Sequence, residues 1–216
     1  MVHRYSLLPL ALFALALAAL PAAAATLTYS ASVPLQPTNW YTTLDFPKFD
    51  PVNGALTGVT VEVRDNLVHK IEYENTSTSS GSTFRDSVYV TVDVMRPASM
   101  SLVTAISKLY KTATVGVFDG TIDYSGTSGV TFDNLVDNTT WSSTTAAPAD
   151  LALFTGTGNI SLPCQAVTYF LFGYSGGNAN YRLTTQAAAD VTVTYAYTGV
   201  VPAQATSWGR IKALYR

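Results

Sequence analysis

The chain has 216 residues, of which 12% are charged and 12% are aromatic, and its formal net charge is −2. Its basic residues form no patch before the last seven positions, which argues against a nucleic-acid partner. Cys164 is the only cysteine, so the chain can form no internal disulfide and depends on strand pairing and core packing. Thr, Ser, Val and Gly are abundant, as is typical of extracellular all-β proteins.

Residues 1–25 have the layout of a secretory signal peptide. Arg4 supplies a positive charge, residues 6–20 form a short apolar run, and alanines precede the cleavage point. We predict cleavage after Ala25, which makes the product an exported protein, extracellular or displayed at the cell surface. An uncleaved anchor is the alternative, but the run is short for a hydrocarbon core of about 30 Å. We expect no transmembrane span in the mature chain.

Alternating apolar residues predict a first strand at residues 27–33 and a second at residues 39–46. Two prolines and an Asn-Gly pair then predict a fixed corner at residues 47–54. Phe46 precedes this corner and Phe49 lies within it. Both side chains should pack the corner against the apolar layer that the following strand enters. We expect the corner and the strand that follows it to form a hairpin-like unit that starts a sheet.

Further strands follow this corner. An Asp65-Asn66 turn and a flexible Ser/Thr/Gly loop at residues 75–83 should separate them. Residues 101–112 fit a helical face as well as a strand, and we predict strands because their surroundings are β. The valine-rich alternation that marks these strands lies at residues 56–64, 67–73 and 88–94.

The second half continues this pattern, with a helical turn at residues 149–154 and a hairpin-type turn at Gly176-Gly177-Asn178. About ten short strands without alternating helices predict two packed antiparallel sheets. We therefore predict a single-domain β-sandwich at residues 26–199, of jelly-roll or immunoglobulin-like type. The strands of this half are expected near residues 113–117, 130–135, 159–162, 167–174, 181–186 and 191–197.

Four segments together resemble the choice-of-anchor E domain of exported bacterial proteins. They read FPKFDPVNGALTGVTVEV, VFDGTIDYSGTSGVTF, DLALFTGTGNISLP and DVTVTYAYT, and they fall within residues 40–198. The resemblance implies an exported or surface-displayed β-sandwich that occurs with different surface-sorting signals. It implies no catalytic residues. The chain departs from the commoner family pattern at its end, where it has no hydrophobic segment with a basic tail.

Residues 200–216 are predicted to be a linker and a basic, aromatic tail. Trp208, Ile211 and Tyr215 fall at helical spacing with basic residues around them. Our hypothesis is that this segment is a sorting or docking tag. A terminal element packed on the sandwich is the alternative. The tag residues are Trp208, Arg210, Ile211, Lys212, Tyr215 and Arg216.

Exposed aromatic side chains are the main candidates for ligand binding. Trp40, Tyr41 and Trp141, with the aromatic group at residues 169–174, would form a stacking platform for sugars. Burial of these side chains in the core is the alternative.

Four aspartates in neighbouring loops would offer oxygen ligands of the kind that calcium prefers, although no EF-hand pattern is present. Solvated turn aspartates are the simpler account, so calcium is carried only as a possible cofactor. These residues are Asp119, Asp123, Asp133 and Asp137.

Catalytic motifs are missing from the sequence. His69 stands without a G-x-S-x-G elbow or a metal-ligand partner, so a structural strand histidine is favoured. Glu72 and Glu74 lie on one strand face about 7 Å apart, a spacing that some glycosidases share, but adjacent acids are common on wet strand faces.

We therefore expect a non-catalytic surface module with a structural or adhesive role, whose partner is an envelope or extracellular matrix component such as a polysaccharide. The alternative is a carbohydrate-binding module. A secreted glycan-active enzyme ranks third.

Overall fold

The computed structural model describes residues 24–98 and 100–199. Strands dominate this part of the chain, with a 3-10 turn at Pro51–Asn53 and a short helix, α1, at Pro148–Phe154. No helix in the described ranges is long and apolar enough to cross a membrane. The strands are β1 (Ala24–Pro37), β2 (Trp40–Pro47), β3 (Gly54–Asn75), β4 (Ser82–Met95), β5 (Ser101–Val115), β6 (Gly129–Asp137), β7 (Thr140–Thr145), β8 (Asn159–Tyr174) and β9 (Ala179–Gly199).

Two antiparallel sheets pack face to face, which confirms the predicted β-sandwich. The first sheet has the order β1-β9-β3-β6, and β7 pairs with β3 beside β6. The second sheet has the order β2-β8-β4-β5. Residues 101–112 lie in β5, so the strand prediction for that ambiguous segment is also confirmed. Alternate side chains of β3 and β4 enter the core between the sheets.

The turn predicted at Asp65-Asn66 is wrong, because β3 runs through it without interruption. Asp65 pairs with Ala189 and Asn66 pairs with Ala188 in the β3–β9 register. The Asp65 carboxylate points inward, where it accepts hydrogen bonds from the Ser107 hydroxyl at 2.5 Å and the Thr139 N–H at 2.8 Å. These partners bind one carboxylate oxygen, Oδ1, of the side chain that would otherwise favour a turn.

The corner at residues 47–54 forms, but its hairpin-like role is wrong. Phe46 and Phe49 are both buried, as predicted, and the Asp50 carboxylate accepts a hydrogen bond from the Val52 N–H. However, β2 belongs to the second sheet and β3 to the first. The corner therefore carries the chain from one sheet to the other.

The turn at residues 176–178 is likewise a crossing and not the predicted hairpin. It joins β8 of the second sheet to β9 of the first. Gly176 and Gly177 have φ values of 87° and 112°, which side chains with a Cβ rarely adopt. The loop at residues 75–83 also crosses between the sheets, and Asn75 fixes it by donating hydrogen bonds to the Ser80 and Gly116 carbonyls.

The core consists of two apolar clusters with a buried polar layer at their boundary. The larger cluster includes Phe49 and the inward valines of β3, β4 and β9. On β3, His69 lies between Leu67 of the larger cluster and Ile71 of the smaller one. On β4, Asp86 lies at the same boundary between the two clusters. His69 Nε2 is 3.1 Å from Asp86 Oδ2, with both side chains 1% exposed. The smaller cluster comprises Ile71, Tyr73, Phe84 and Val115.

Helix α1 is fixed to the β4–β5 connection by one ion pair. Arg96 donates from Nε to Asp150 Oδ1 at 2.7 Å and from Nη2 to Oδ2 at 2.8 Å. Arg96 Nη1 also donates to the Ser101 carbonyl, and the Thr145 hydroxyl donates to Asp150 Oδ2 at 2.8 Å. The guanidinium group lowers the pKa of the Asp150 carboxyl through these hydrogen bonds, so the pair is charged at neutral pH.

Candidate functional site

The outer face of the second sheet exposes a set of large apolar side chains, here called the aromatic face. Its members alternate with the inward valines of β4 and with the buried residues of β8, so the strand period turns them towards solvent. Leu171 is 76% exposed and Tyr110 is 63% exposed. The aromatic face consists of Tyr41, Tyr89, Ile106, Tyr110, Tyr169 and Leu171.

A groove of about 490 Å³ lies at one end of the aromatic face. Strand pairing builds it, because Ser87 on β4 lies opposite both Leu171 on β8 and Tyr110 on β5. Arg85 lies opposite Gly173, which has no side chain, and a Cβ added at this glycine would meet nothing within 4 Å. The groove thus has a small-residue floor, with apolar walls on both sides and a cation at one end.

The groove combines groups that suit a sugar ring. The Tyr110 ring and the Leu171 side chain offer apolar surface for the carbon–hydrogen face of a saccharide. The Arg85 guanidinium makes no ion pair or hydrogen bond within residues 24–98 and 100–199, and with the Ser87 and Thr83 hydroxyls it can bond to sugar hydroxyls.

The structure separates the three aromatic residues that were predicted to form one platform. Trp40 is half-buried against the core, and its ring N–H donates to the Ala187 carbonyl at 3.1 Å. Tyr41 is exposed on β2, at one edge of the second sheet. Trp141 is exposed on β7, which belongs to the first sheet. Only Tyr41 of the three lies on the aromatic face.

Three of the four candidate calcium ligands accept hydrogen bonds, and two of these three lie in the loop before β6. Asp119 accepts from the Thr121 N–H, and this bond contributes most to lowering the pKa of its carboxyl. Asp123 accepts from the N–H and hydroxyl of Ser125, whereas Asp137 accepts from the Lys108 N–H. Within the described ranges, no three His, Cys, Asp or Glu side chains converge as a metal site would require. Asp133 lies exposed on β6.

Of the buried polar side chains, Asp65 bonds across the two sheets, whereas His69 bonds within the first sheet. The His69 ring contacts the Thr185 hydroxyl at 2.9 Å through Nδ1, while its Nε2–H is not aligned for a hydrogen bond with the nearby Asp86 carboxylate. Ser107 donates to Asp65 and not to His69, so no serine–histidine relay forms there. Burial raises the pKa of the Asp65 carboxyl, against the effect of its hydrogen bonds.

The two glutamates proposed as a catalytic pair have different surroundings. Glu74 is fully buried, and its Oε2 accepts a hydrogen bond from the Tyr124 N–H at 2.7 Å. Glu72 is partly exposed and forms an ion pair of 3.1 Å with Lys70. Glu74 therefore fixes the loop before β6. The predicted tail residues of positions 208–216 lie outside the described residues, and their role stays a prediction.

Sequence reasoning found part of the groove and missed the rest. Leu171, which lies within the predicted aromatic group at residues 169–174, supplies one wall. Arg85, Ser87 and Tyr110 were missed, because they reach the groove only through pairing of β4 with β5 and β8. The available signal was the outward half of the β4 alternation, where Arg85, Ser87 and Tyr89 occupy successive solvent-facing positions.

Comparison with known proteins gives no family assignment. No protein-family model and no curated protein matches the chain. Among solved structures, an infectious bursal disease virus VP2 subviral particle matches at 12% identity with a TM-score of 0.23, over 83% of this chain and 37% of that one. The structure of the Gx strain of the same virus matches at 9% identity and a TM-score of 0.19, over 82% and 37%. The chain thus spans well under half of these proteins, and scores this low support no inference about its role.

Proposed function

We propose that this protein is an exported, non-catalytic β-sandwich module with an adhesive role, which binds a polysaccharide of the envelope or extracellular matrix through the groove. The observation that carries the proposal is the groove at Gly173, with its apolar walls and with Arg85, which has no partner among the residues that the structure describes. The layout of residues 1–25 and the resemblance to the choice-of-anchor E domain support export.

Two features favour simple binding over hydrolysis. Arg85 is the one charged side chain that lines the groove among the described residues, and glycoside hydrolysis ordinarily needs a pair of carboxyl groups. The buried acids Asp65, Asp86 and Glu74 lie on the inside of the sandwich or beneath a loop, where a polymer has no access. We therefore propose that the protein adheres by acting as a carbohydrate-binding module.

Binding to immobilised polysaccharides tests the proposal. We expect the purified protein to give a saturable signal on a glycan array, and Tyr110→Ala and Arg85→Ala each to weaken it by about tenfold, since stacking is worth about 1 kcal/mol or more. Trp141→Ala is the matched control, because it removes an exposed aromatic ring from the other sheet. No saturable binding, or equal loss in the control, would reject the groove as a sugar site.

A second measurement separates binding from catalysis. The protein is incubated with each glycan that binds, and the products are separated by chromatography. We expect the glycan to remain intact. Release of shorter oligosaccharides that is lost in Glu72→Gln would instead identify an enzyme.

A further inference from the structure

The second sheet has an open edge beside the aromatic face. β2 pairs with β8 only from Asn159 to Ala166, because β2 begins at Trp40, opposite Ala166. From Val167 to Tyr174, β8 pairs with β4 alone among the described residues. One side of an eight-residue strand segment is therefore without a strand partner in the described part of the chain.

Strand geometry shows which main-chain groups face this edge. The Thr168 N–H donates to the Asn39 side chain on the β2 side, at 3.0 Å. The Ser175 N–H donates to the Thr83 carbonyl on the β4 side, at 3.0 Å. Because N–H and C=O groups alternate in direction along a strand, those of Phe170, Phe172 and Tyr174 point towards the open edge.

The edge has none of the features that usually prevent strand addition. Residues 167–174 read VTYFLFGY and contain no proline and no charged residue. Phe170 and Leu171 are 65% and 76% exposed beside the free main-chain groups. Natural edge strands with this combination are templates for pairing with another chain.

We propose that a second copy of this chain pairs its own β8 antiparallel with this edge, about a twofold axis at Phe172. In this register Phe172 faces its counterpart and Phe170 faces Tyr174 of the other copy, which gives about six main-chain hydrogen bonds. The register also places the Leu171 side chain beside Gly173 of the other copy. The space at Gly173 is open, so the projecting leucine is accommodated.

Three observations favour a second copy as the occupant. The segment is uncharged, so a copy of itself buries no unpaired charge against it. The Leu171 projection and the Gly173 opening are two residues apart, which is the spacing that a twofold axis at Phe172 requires. Finally, Thr26 and Gly199 lie at the far end of β9 from this edge, so both ends of the predicted mature sandwich are away from it.

The first test is the oligomeric state of the full chain. Sedimentation equilibrium between about 1 and 100 µM should show a reversible monomer–dimer equilibrium, and Phe170→Lys should raise the dissociation constant by at least about tenfold. Val136→Lys is the matched control, because it adds the same charge at an exposed apolar position on β6. A monomer at every concentration, including one whose edge is covered by its own terminal residues, would overturn the proposal.

The second test fixes the register and does not depend on dimer strength. Leu171→Cys and Gly173→Cys chains are oxidised separately and as an equal mixture. We expect a cross-linked dimer mainly in the mixture, since facing strand residues lie within disulfide range whereas the two Leu171 positions do not. Native Cys164 is buried and should not interfere. Equal cross-linking in all three samples, or none in the mixture, would reject this register and the proposed pairing. Because Leu171 of the second copy adjoins the groove at Gly173, sugar binding is measured on the Phe170→Lys monomer, so that the two proposals can fail independently.

Discussion

The Arg96–Asp150 ion pair should contribute measurably to stability, and Asp150→Asn is the change that tests it. The substitution keeps the shape of the side chain but removes its charge and one acceptor. Arg96 loses part of a two-bond contact, and the Thr145 hydroxyl loses its acceptor. The Arg96 and Asp150 side chains are only 26% and 10% exposed, so solvent compensates incompletely. Since a hydrogen bond to a charged group is worth about 1.5–3 kcal/mol, we expect a loss of about 2 kcal/mol at pH 7.

This loss should depend on pH in one direction. The pKa of Asp150 is lower in the folded protein, chiefly because of its hydrogen bonds with Arg96. The pair therefore contributes its full stability above the unfolded pKa of about 3.9, and that contribution falls as the pH drops through the folded pKa. Below about pH 4 the free energies of unfolding of wild type and Asp150→Asn should converge.

Urea unfolding at several pH values between 7 and 3 measures the effect. Asp133→Asn is the control, because it removes the same charge from an exposed position on β6. It should change the free energy of unfolding by less than about 0.5 kcal/mol at every pH. A difference between wild type and Asp150→Asn that stays constant down to pH 3, or a difference of equal size in the control, would refute the reasoning.

Three further predictions concern the core and one tight turn. Phe49→Ala should lower the free energy of unfolding by about 3–5 kcal/mol in urea, because Phe49 is fully buried against Tyr195. Cys164 should resist thiol reagents at pH 8 in the folded protein, since burial raises its pKa to about 12, and its labelling rate should follow unfolding. Gly129→Ala should cost about 1–3 kcal/mol by thermal or urea unfolding, because the new Cβ would collide with the Glu74 carboxylate and a neighbouring backbone nitrogen.

The Phe49 and Gly129 predictions each have a matched comparison. Tyr41→Ala removes an exposed ring and should be nearly neutral beside Phe49→Ala. Gly173→Ala places a Cβ in open space, so it should change stability by less than about 0.5 kcal/mol. Rapid labelling of native Cys164, or a stable Gly129→Ala variant, would contradict the packing described for those sites.

Local patterns predicted the strands, whereas the pairing between distant strands was not readable from them. The valine alternation at residues 88–94 predicted β4 because its period is a property of neighbouring residues. The Asp65-Asn66 turn was mistaken because Ser107 and Thr139, far along the chain, donate hydrogen bonds to Oδ1 of the Asp65 carboxylate. The corners were recognised as corners, but which sheet each strand joins depends on long-range register.

The same distinction applies to the candidate site. The apolar character of residues 169–174 could be read directly, and Leu171 within this segment supplies one wall of the groove. The tryptophan Trp40 was misplaced in the predicted platform, because its ring N–H finds a partner on β9 that the sequence does not reveal. The groove itself depends on the absence of a side chain at Gly173 opposite Arg85, which only the β4–β8 register shows.

The antiparallel pairing of β1 with β9 places both ends of the sandwich's chain together, far from the groove. If the protein is tethered to a surface at either end, this pairing sets the distance between the groove and that surface. Thr26, the first residue after the predicted cleavage point, faces Ala196, so the chain enters and leaves the sandwich side by side. Strand β9 has 21 residues, which corresponds to a length of about 65 Å. Gly173 lies near the other end, where Phe172 packs against Tyr181 at the start of β9. A tether at either terminus would therefore attach to one end of the sandwich and leave the groove at the opposite end, away from the support.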